Sequence, residues 1–328
     1  ILARFSGPWR PRLLSYSHLH KLQDYCREQG RGELVGLLSL SGYAAIRNLT
    51  LVAANLLDVD ILVSLDDDEI IADPAFLEKI SADFAILAKD YDTFGLAGLY
   101  ENPQGGIFNP EPTDDWAVFW PKLRWLNEAL AALAADNPPL KLTSVALGGN
   151  MALGRDLYCF LPFDPAVSRG EDIDYVINAR MFQVPFFLDH TLRVVHDPPV
   201  KPHPLWRRLR QDLQRFWYTR QKLLAQETSP QTALISPAEL MPYPGNFLTA
   251  DLEIRAYRAH TALALQYLAA GQAEEARQTL LNLAVCLPTA PGADVFRAYL
   301  EVVQHWRRLQ SWLTQPRVRE TLAGLLWG

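Results

Sequence analysis

Cysteine, methionine and long apolar runs are all scarce in this 328-residue chain. The three cysteines (Cys26, Cys159 and Cys286) are scattered with no CxxC spacing, so neither a zinc site nor a disulfide framework is indicated. A reducing, cytoplasmic setting fits that pattern. No apolar run reaches the length of a membrane span, and no signal peptide is visible. Basic excess is missing as well: 31 Lys and Arg face 37 Asp and Glu, a formal charge of −6 that argues against nucleic-acid binding. The chain opens on Ile1 and not on Met, so it reads as starting inside a longer protein, with an N-terminal strand expected ahead of it. What is present is an ordinary globular composition, 49% hydrophobic, enough to build one large domain or two.

Strands and helices alternate through the first part. Ser17 to Gln29 has helical spacing and ends at Gly30-Arg31-Gly32. Glu33 to Leu40 reads as a strand, Arg47 to Leu57 as a helix, and Leu62 to Leu65 as a buried strand. A helix follows Pro74 to about Lys89, with Asp73 placed to cap it, and then the strand Phe94 to Leu99. Glu101 to Asp115, rich in Gly, Pro and Asn, is a long loop and a candidate lid. Trp116 to Ala135 is helical, and Leu142 to Leu147 and Phe186 to Val195 resume the sheet. Such alternation predicts an α/β fold whose mainly parallel sheet carries helices on both faces.

Beyond Pro198-Pro199 the pattern is helical only, which sets the expected domains at 1–200 and 201–328. The segment 205–224 is basic and aromatic; it reads either as an interfacial helix giving peripheral membrane contact or, preferably, as an amphipathic helix packed on the first domain. Thr228 to Asn246 is Pro-rich and reads as a linker. Residues 260–288 resemble one tetratricopeptide repeat, with Gly271 at the turn, Ala276 in the second helix and Pro288 after it. A single unit cannot bury its own face, so it is expected to pack on neighbouring helices or offer a protein contact.

Chemistry concentrates in five places. Asp66-Asp67-Asp68 ends the strand at Leu65, and three adjacent carboxylates favour a divalent counter-cation. At the carboxyl end of a strand, that cation would lie where open α/β sheets bind ligands. Gly170-Glu171-Asp172 opens the helix Ile173 to Met181; acidic residues there also suit the helix dipole. Gly148-Gly149-Asn150 precedes it and His196 follows the strand Leu192 to Val195, a residue type that suits a divalent metal. Arg47-Asn48 opens the second helix.

Taken in order over Glu33 to Pro199, these motifs resemble the nucleotide-sugar-dependent glycosyltransferases of the GT-A fold, a Rossmann-like fold, above all family 2 and its relatives with DxD and Gly-Glu-Asp motifs. The resemblance implies a hexosyltransferase acting on a nucleotide-diphosphate sugar with Mn²⁺ or Mg²⁺. It places Asp68 and His196 on the metal, with Asp66 near the metal and the ribose or base. Arg47, Asn48 and Asp67 fall beside the nucleotide, and Gly148, Gly149 and Asn150 against sugar and acceptor. Glu171 and Asp172 match the acidic pair that supplies the base of inverting members. The acceptor implied is a carbohydrate, a lipid-linked group or a small molecule. One part of the family pattern is missing, the first strand with its Pro-x-x-Asn-Glu-like turn. Two other readings stay open: a retaining enzyme, and a catalytically weak scaffold whose helical tail binds a partner. A nucleotidyltransferase would show a Gly-rich N-terminal signature that this chain lacks.

Overall fold

The structure is a computed structural model and describes residues 10–135, 138–198, 203–287 and 294–328. The reading of an absent first strand bears on residues before 10, the expected boundary at 200/201 lies between described segments, and Pro288 also falls outside the described residues.

Helix α1 (Tyr16–Glu28) buries Leu19, Leu22 and Cys26, three positions at helical spacing. The expected strand at 33–40 is instead a 3₁₀ helix, Gly32–Leu37. Its buried Leu34 and Leu37 are three residues apart, which places both on one side of a three-residue turn, facing the helical core. Then follow α2 (Tyr43–Leu56), β1 (Ile61–Ser64), β2 (Glu69–Ile70), α3 (Phe76–Leu87) and β3 (Gly95–Glu101). Pro121 divides the expected helix 116–135 into α4 (Asp115–Phe119) and α5 (Lys122–Ala134). The strand expected at 142–147 lies earlier, as β4 (Leu140–Leu142). After it come β5 (Met151–Gly154), α6 (Arg155–Phe160), α7 (Glu171–Met181) and β6 (Phe186–His196).

The sheet order is β1-β5-β3-β6-β2, with β4 also paired to β6. Among the described residues only β3 and β6 pair in parallel and the other four pairings are antiparallel, so the sheet is mixed and not mainly parallel. Strand β5 lies between β1 and β3 and runs against both, while the short β2 and β4 run against β6. Even so, β1, β3 and β6 all run the same way, and their carboxyl ends share one edge of the sheet. Strand β1 ends the sheet order, which leaves its residues half-buried and not fully buried as expected.

Between β3 and β6 the register jumps from Ala97 opposite Leu188 to Leu99 opposite Arg193. That bulge frees two carbonyls, and the Asn150 side chain donates to both: Leu99 O at 3.0 Å and Leu192 O at 3.1 Å. Alternate strand residues face opposite cores. Ala97, Met151 and Leu153 pack with α1, α2, α6 and α7, whereas Leu96 and Ala152 pack with α3 on the other face.

Helices α8 (Leu205–Ala225), α9 (Leu252–Ala269), α10 (Ala273–Cys286), α11 (Val295–Leu313) and α12 (Pro316–Trp327) complete the described chain. They are built into the same cores and do not hang from them. Tyr299, Trp306 and Leu322 join the cluster of α1 and α2, while Leu209, Phe216 and Leu263 join that of α4 and α5. The apolar side of α8 is therefore inside the protein. The Pro-rich stretch 228–246 is no linker either: Ile235, Leu240 and Tyr243 are buried in that second cluster. The hairpin α9–α10 turns at Gly271, whose φ of +75° favours glycine.

Candidate functional site

Three strand ends deliver the site. After β1 the chain turns through Asp66, Asp67 and Asp68 and folds back as β2, antiparallel to the end of β6. This register sets Glu69 opposite His196, and Asp197 N–H donates to Asp68 O at 3.0 Å. The Asp66 N–H donates to Glu69 Oε2 at 2.8 Å, which closes the acidic turn on itself. Tyr100, at the end of β3, packs its ring 4.7 Å from that of His196, and its hydroxyl accepts from Gly149 N at 2.7 Å.

Asp68, Glu69 and His196 together form a candidate metal centre. One ligand atom from each lies within 4.8 Å of the others, with His196 Nε2 and Asp68 Oδ2 at 3.6 Å. Mixed imidazole and carboxylate donors suit Mn²⁺, Mg²⁺ or Zn²⁺. Glu69 Oε1 gives a second reason: it is buried with no hydrogen-bond partner. Burial pushes the Glu69 carboxyl above its ordinary pKa, against the pull of Tyr100 and the Asp66 amide. An orphaned, buried carboxylate oxygen beside an imidazole fits a cation.

Next to this triad, Arg47 on α2 gathers the second acidic motif. Its Nε donates to Glu171 Oε1 at 2.9 Å, Nη1 to Gly148 O at 2.9 Å and Nη2 to Asp66 Oδ1 at 3.2 Å. Burial works against the Arg47 charge, but Glu171 and Asp66 outweigh it and raise its pKa. Glu171 is buried, and burial with the adjacent Asp172 raises its carboxyl pKa despite Arg47. Asp172 is more open. Its Oδ2 accepts from Gly148 N at 3.1 Å and Oδ1 from Ile173 N at 2.7 Å, which fixes its orientation and leaves lone pairs unused.

The paired glycines have a physical cause. A Cβ on Gly148 would stand 2.2 Å from Arg47 Nη2, and one on Gly149 2.0 Å from Glu69 Oε1. Close packing by the protein's own charged side chains fills the space beside this turn.

The structure brings Arg47, Asp66, Asp68, Gly148, Gly149, Glu171, Asp172 and His196 to one edge of the sheet. It separates others from them. Asn48 is buried in the core, where it donates to Phe163 O and accepts from Phe163 N, both at 2.8 Å. Asn150 serves the bulge and Asp67 is exposed; Asp66 stays at the shared edge but is held by Arg47 and is not part of the triad. Two contributors were missed, Glu69 and Tyr100. Glu69 follows the aspartates directly, but only the β2–β6 register shows that it meets His196.

The loop 101–115 borders a cavity of about 790 Å³, whose wall includes Asn109 to Asp114, Trp116, Trp120 and Arg169. Trp120 is buried against Phe216 and Phe247, so it is core as well as cavity wall.

No known family model matches this sequence, and no curated protein matches it. Among solved structures, one described as "Crystal Structure of a Mycobacterial Protein" is similar at a TM-score of 0.34 and 18% identity. The likeness covers 58% of this chain, which spans 58% of that one's length. No described helix is long and apolar enough to cross a membrane.

Proposed function

We propose that this protein is a metal-dependent glycosyltransferase with a GT-A fold. The observation that carries the reading is the meeting of Asp68, Glu69 and His196 with Arg47 and Asp172 at the shared carboxyl edge of β1, β3 and β6. That edge is where α/β sheets take nucleotide ligands.

In this reading Asp68, Glu69 and His196 hold Mn²⁺ or Mg²⁺, which supplies Lewis-acid neutralisation of the leaving diphosphate. Arg47 braces the Asp66 turn beside the nucleotide. Asp172 is the base, since Glu171 is buried and spent on Arg47. The acceptor oxygen bonds to the anomeric carbon as the carbon–phosphate oxygen bond breaks. The hydroxyl proton passes to Asp172, and the nucleoside diphosphate leaves with the bond electrons. A base on the far face inverts the anomeric centre, and such assistance contributes about 10²–10⁴-fold in rate.

The test is a thermal-shift screen of UDP, GDP, CMP and dTDP and their sugar conjugates, each with and without manganese. One nucleotide is expected to stabilise the protein only with metal. Asp68→Ala is expected to abolish that effect, and Asp172→Asn to keep it while losing transfer. A flat screen on folded protein refutes the reading.

A further inference from the structure

The 790 Å³ cavity has Arg169 and Asp212 in its wall, and Asp212 pairs with Arg215, which lies against Gly170 just before the acid pair; it is walled unlike the metal centre. Two tryptophans, Trp116 and Trp120, and Leu205 give it apolar surface. Its charged wall contains four cations, and these are not equally engaged. Lys122 donates to both Asp212 oxygens at 2.8 Å, and Arg124 pairs with Glu128. Arg169 reaches only a neutral partner, Gln211 Oε1 at 3.2 Å, and Arg208 forms no ion pair among the described residues. Asp212, the buried carboxylate there, is already matched by Lys122 and Arg215. Two guanidinium groups thus line a cavity of small-molecule size without an ion pair among the described residues, while the wall's Glu111 and Asp114 bond instead to the neutral Asn127 and Gln266. Guanidinium forks suit planar or tetrahedral oxyanions, which they bind in bidentate fashion.

We infer that this cavity seats the acceptor substrate, and that the acceptor is a small molecule bearing a phosphate or carboxylate held by Arg169 and Arg208. The inference rests on the glycosyltransferase reading for the word acceptor, and on the cavity alone for the anion. Chain geometry links the two. Arg169 precedes Asp172 by three residues across the left-handed Gly170, so their Cα atoms lie within about 11 Å. The anionic group and the hydroxyl that loses its proton therefore belong to one compact molecule. The tryptophan walls favour a body with an apolar face.

The test uses the full chain in EDTA, so that the metal centre plays no part. Binding of phenyl phosphate, benzoate and phenol is measured by calorimetry in wild type, in Asp68→Ala, and in the double variant Arg169→Gln, Arg208→Gln. One anion is expected to bind at least tenfold more tightly than phenol, equally well in Asp68→Ala, and at least tenfold more weakly in the double variant. Whether phenyl phosphate or benzoate binds better identifies the group. Equal binding of phenol and both anions overturns the proposal, as does undiminished anion binding in a folded double variant. If the nucleotide screen succeeds and the anion arm fails, only the acceptor proposal falls. If the anion arm succeeds and the screen is flat, the anion site stands and the acceptor role falls with the glycosyltransferase reading.

Discussion

Replacing Lys222 with methionine tests how the acid-pair helix is held. The Lys222 Nζ is fully buried on α8, 2.7 Å from Asp164 and 3.0 Å from Asp174, with Asn178 Oδ1 at 3.1 Å. Asp164 and Asp174 flank the Gly170-Glu171-Asp172 turn in the chain and are each 2% exposed. Methionine keeps the volume and removes the only cation in contact with both carboxylates among the described residues. Stripping one partner from a buried ion cluster costs about 3–5 kcal/mol. That is a large part of the roughly 5–15 kcal/mol that holds a domain together. The loss also carries a pH signature. In wild type, burial already raises the Asp174 carboxyl, and Lys222 pulls it back. Without Lys222 the folded pKa rises further above the unfolded value. The unfolded chain then sheds protons first as pH rises, and the variant loses stability. Its deficit against wild type should therefore be larger at pH 8 than at pH 5. The lysine itself does not blur this window, because its own pKa is raised and its contribution is lost only in alkali. Urea unfolding followed by tryptophan fluorescence at both pH values gives the deficit, provided the slope m is unchanged. A deficit under about 1 kcal/mol, or one equal at both pH values, would refute the reasoning. Adding Asp164→Asn and Asp174→Asn should flatten the pH dependence.

A second carboxyl pair gives a related expectation. Burial, followed by the Asp189 carboxylate, pushes Asp83 up to about 7. Its contribution to stability is complete below about pH 4 and is lost as pH rises through 7, at most about 4 kcal/mol. Asp83→Asn should accordingly melt higher than wild type at pH 8 and close to it at pH 4; a gap identical at both sinks the account. Gly149→Ala puts a methyl group 2.0 Å from Glu69 Oε1 and 2.1 Å from Oε2, so Glu69 must move. Manganese affinity by calorimetry should fall at least tenfold, and unchanged affinity would remove Glu69 from the metal set.

Periodicity located α1, α2, α3, β3 and β6 within a few residues, because each carries its own apolar repeat. It failed where the third dimension decides. Glu33 to Leu40 has strand-like composition but no strand to pair with, so it coils against helices. Met151 to Gly154 is too short to announce itself and is defined by the partners on either side, β1 and β3. The prolines of 228–246 suggested a free linker, whereas the apolar residues between them are what bury it. At the site, aspartates at a strand end and a histidine at another were legible from order alone. Their closure was not: the β2–β6 register recruits Glu69, and the pairing of Asn48 with Phe163 withdraws a residue that sequence order had put beside the nucleotide.

The bonds from α11 to the segment before the acid pair have a consequence for synthesis. Tyr299 donates its hydroxyl to Pro162 O, Trp306 its indole N–H to Tyr158 O, and Arg307 its Nε to Phe160 O. Tyr299 is made 137 residues after Pro162. At about 5–20 residues per second, the ribosome takes roughly 7–27 s to cover that interval. For most of that time the nascent chain carries Glu171 and Asp172 on a segment whose supporting helix does not yet exist.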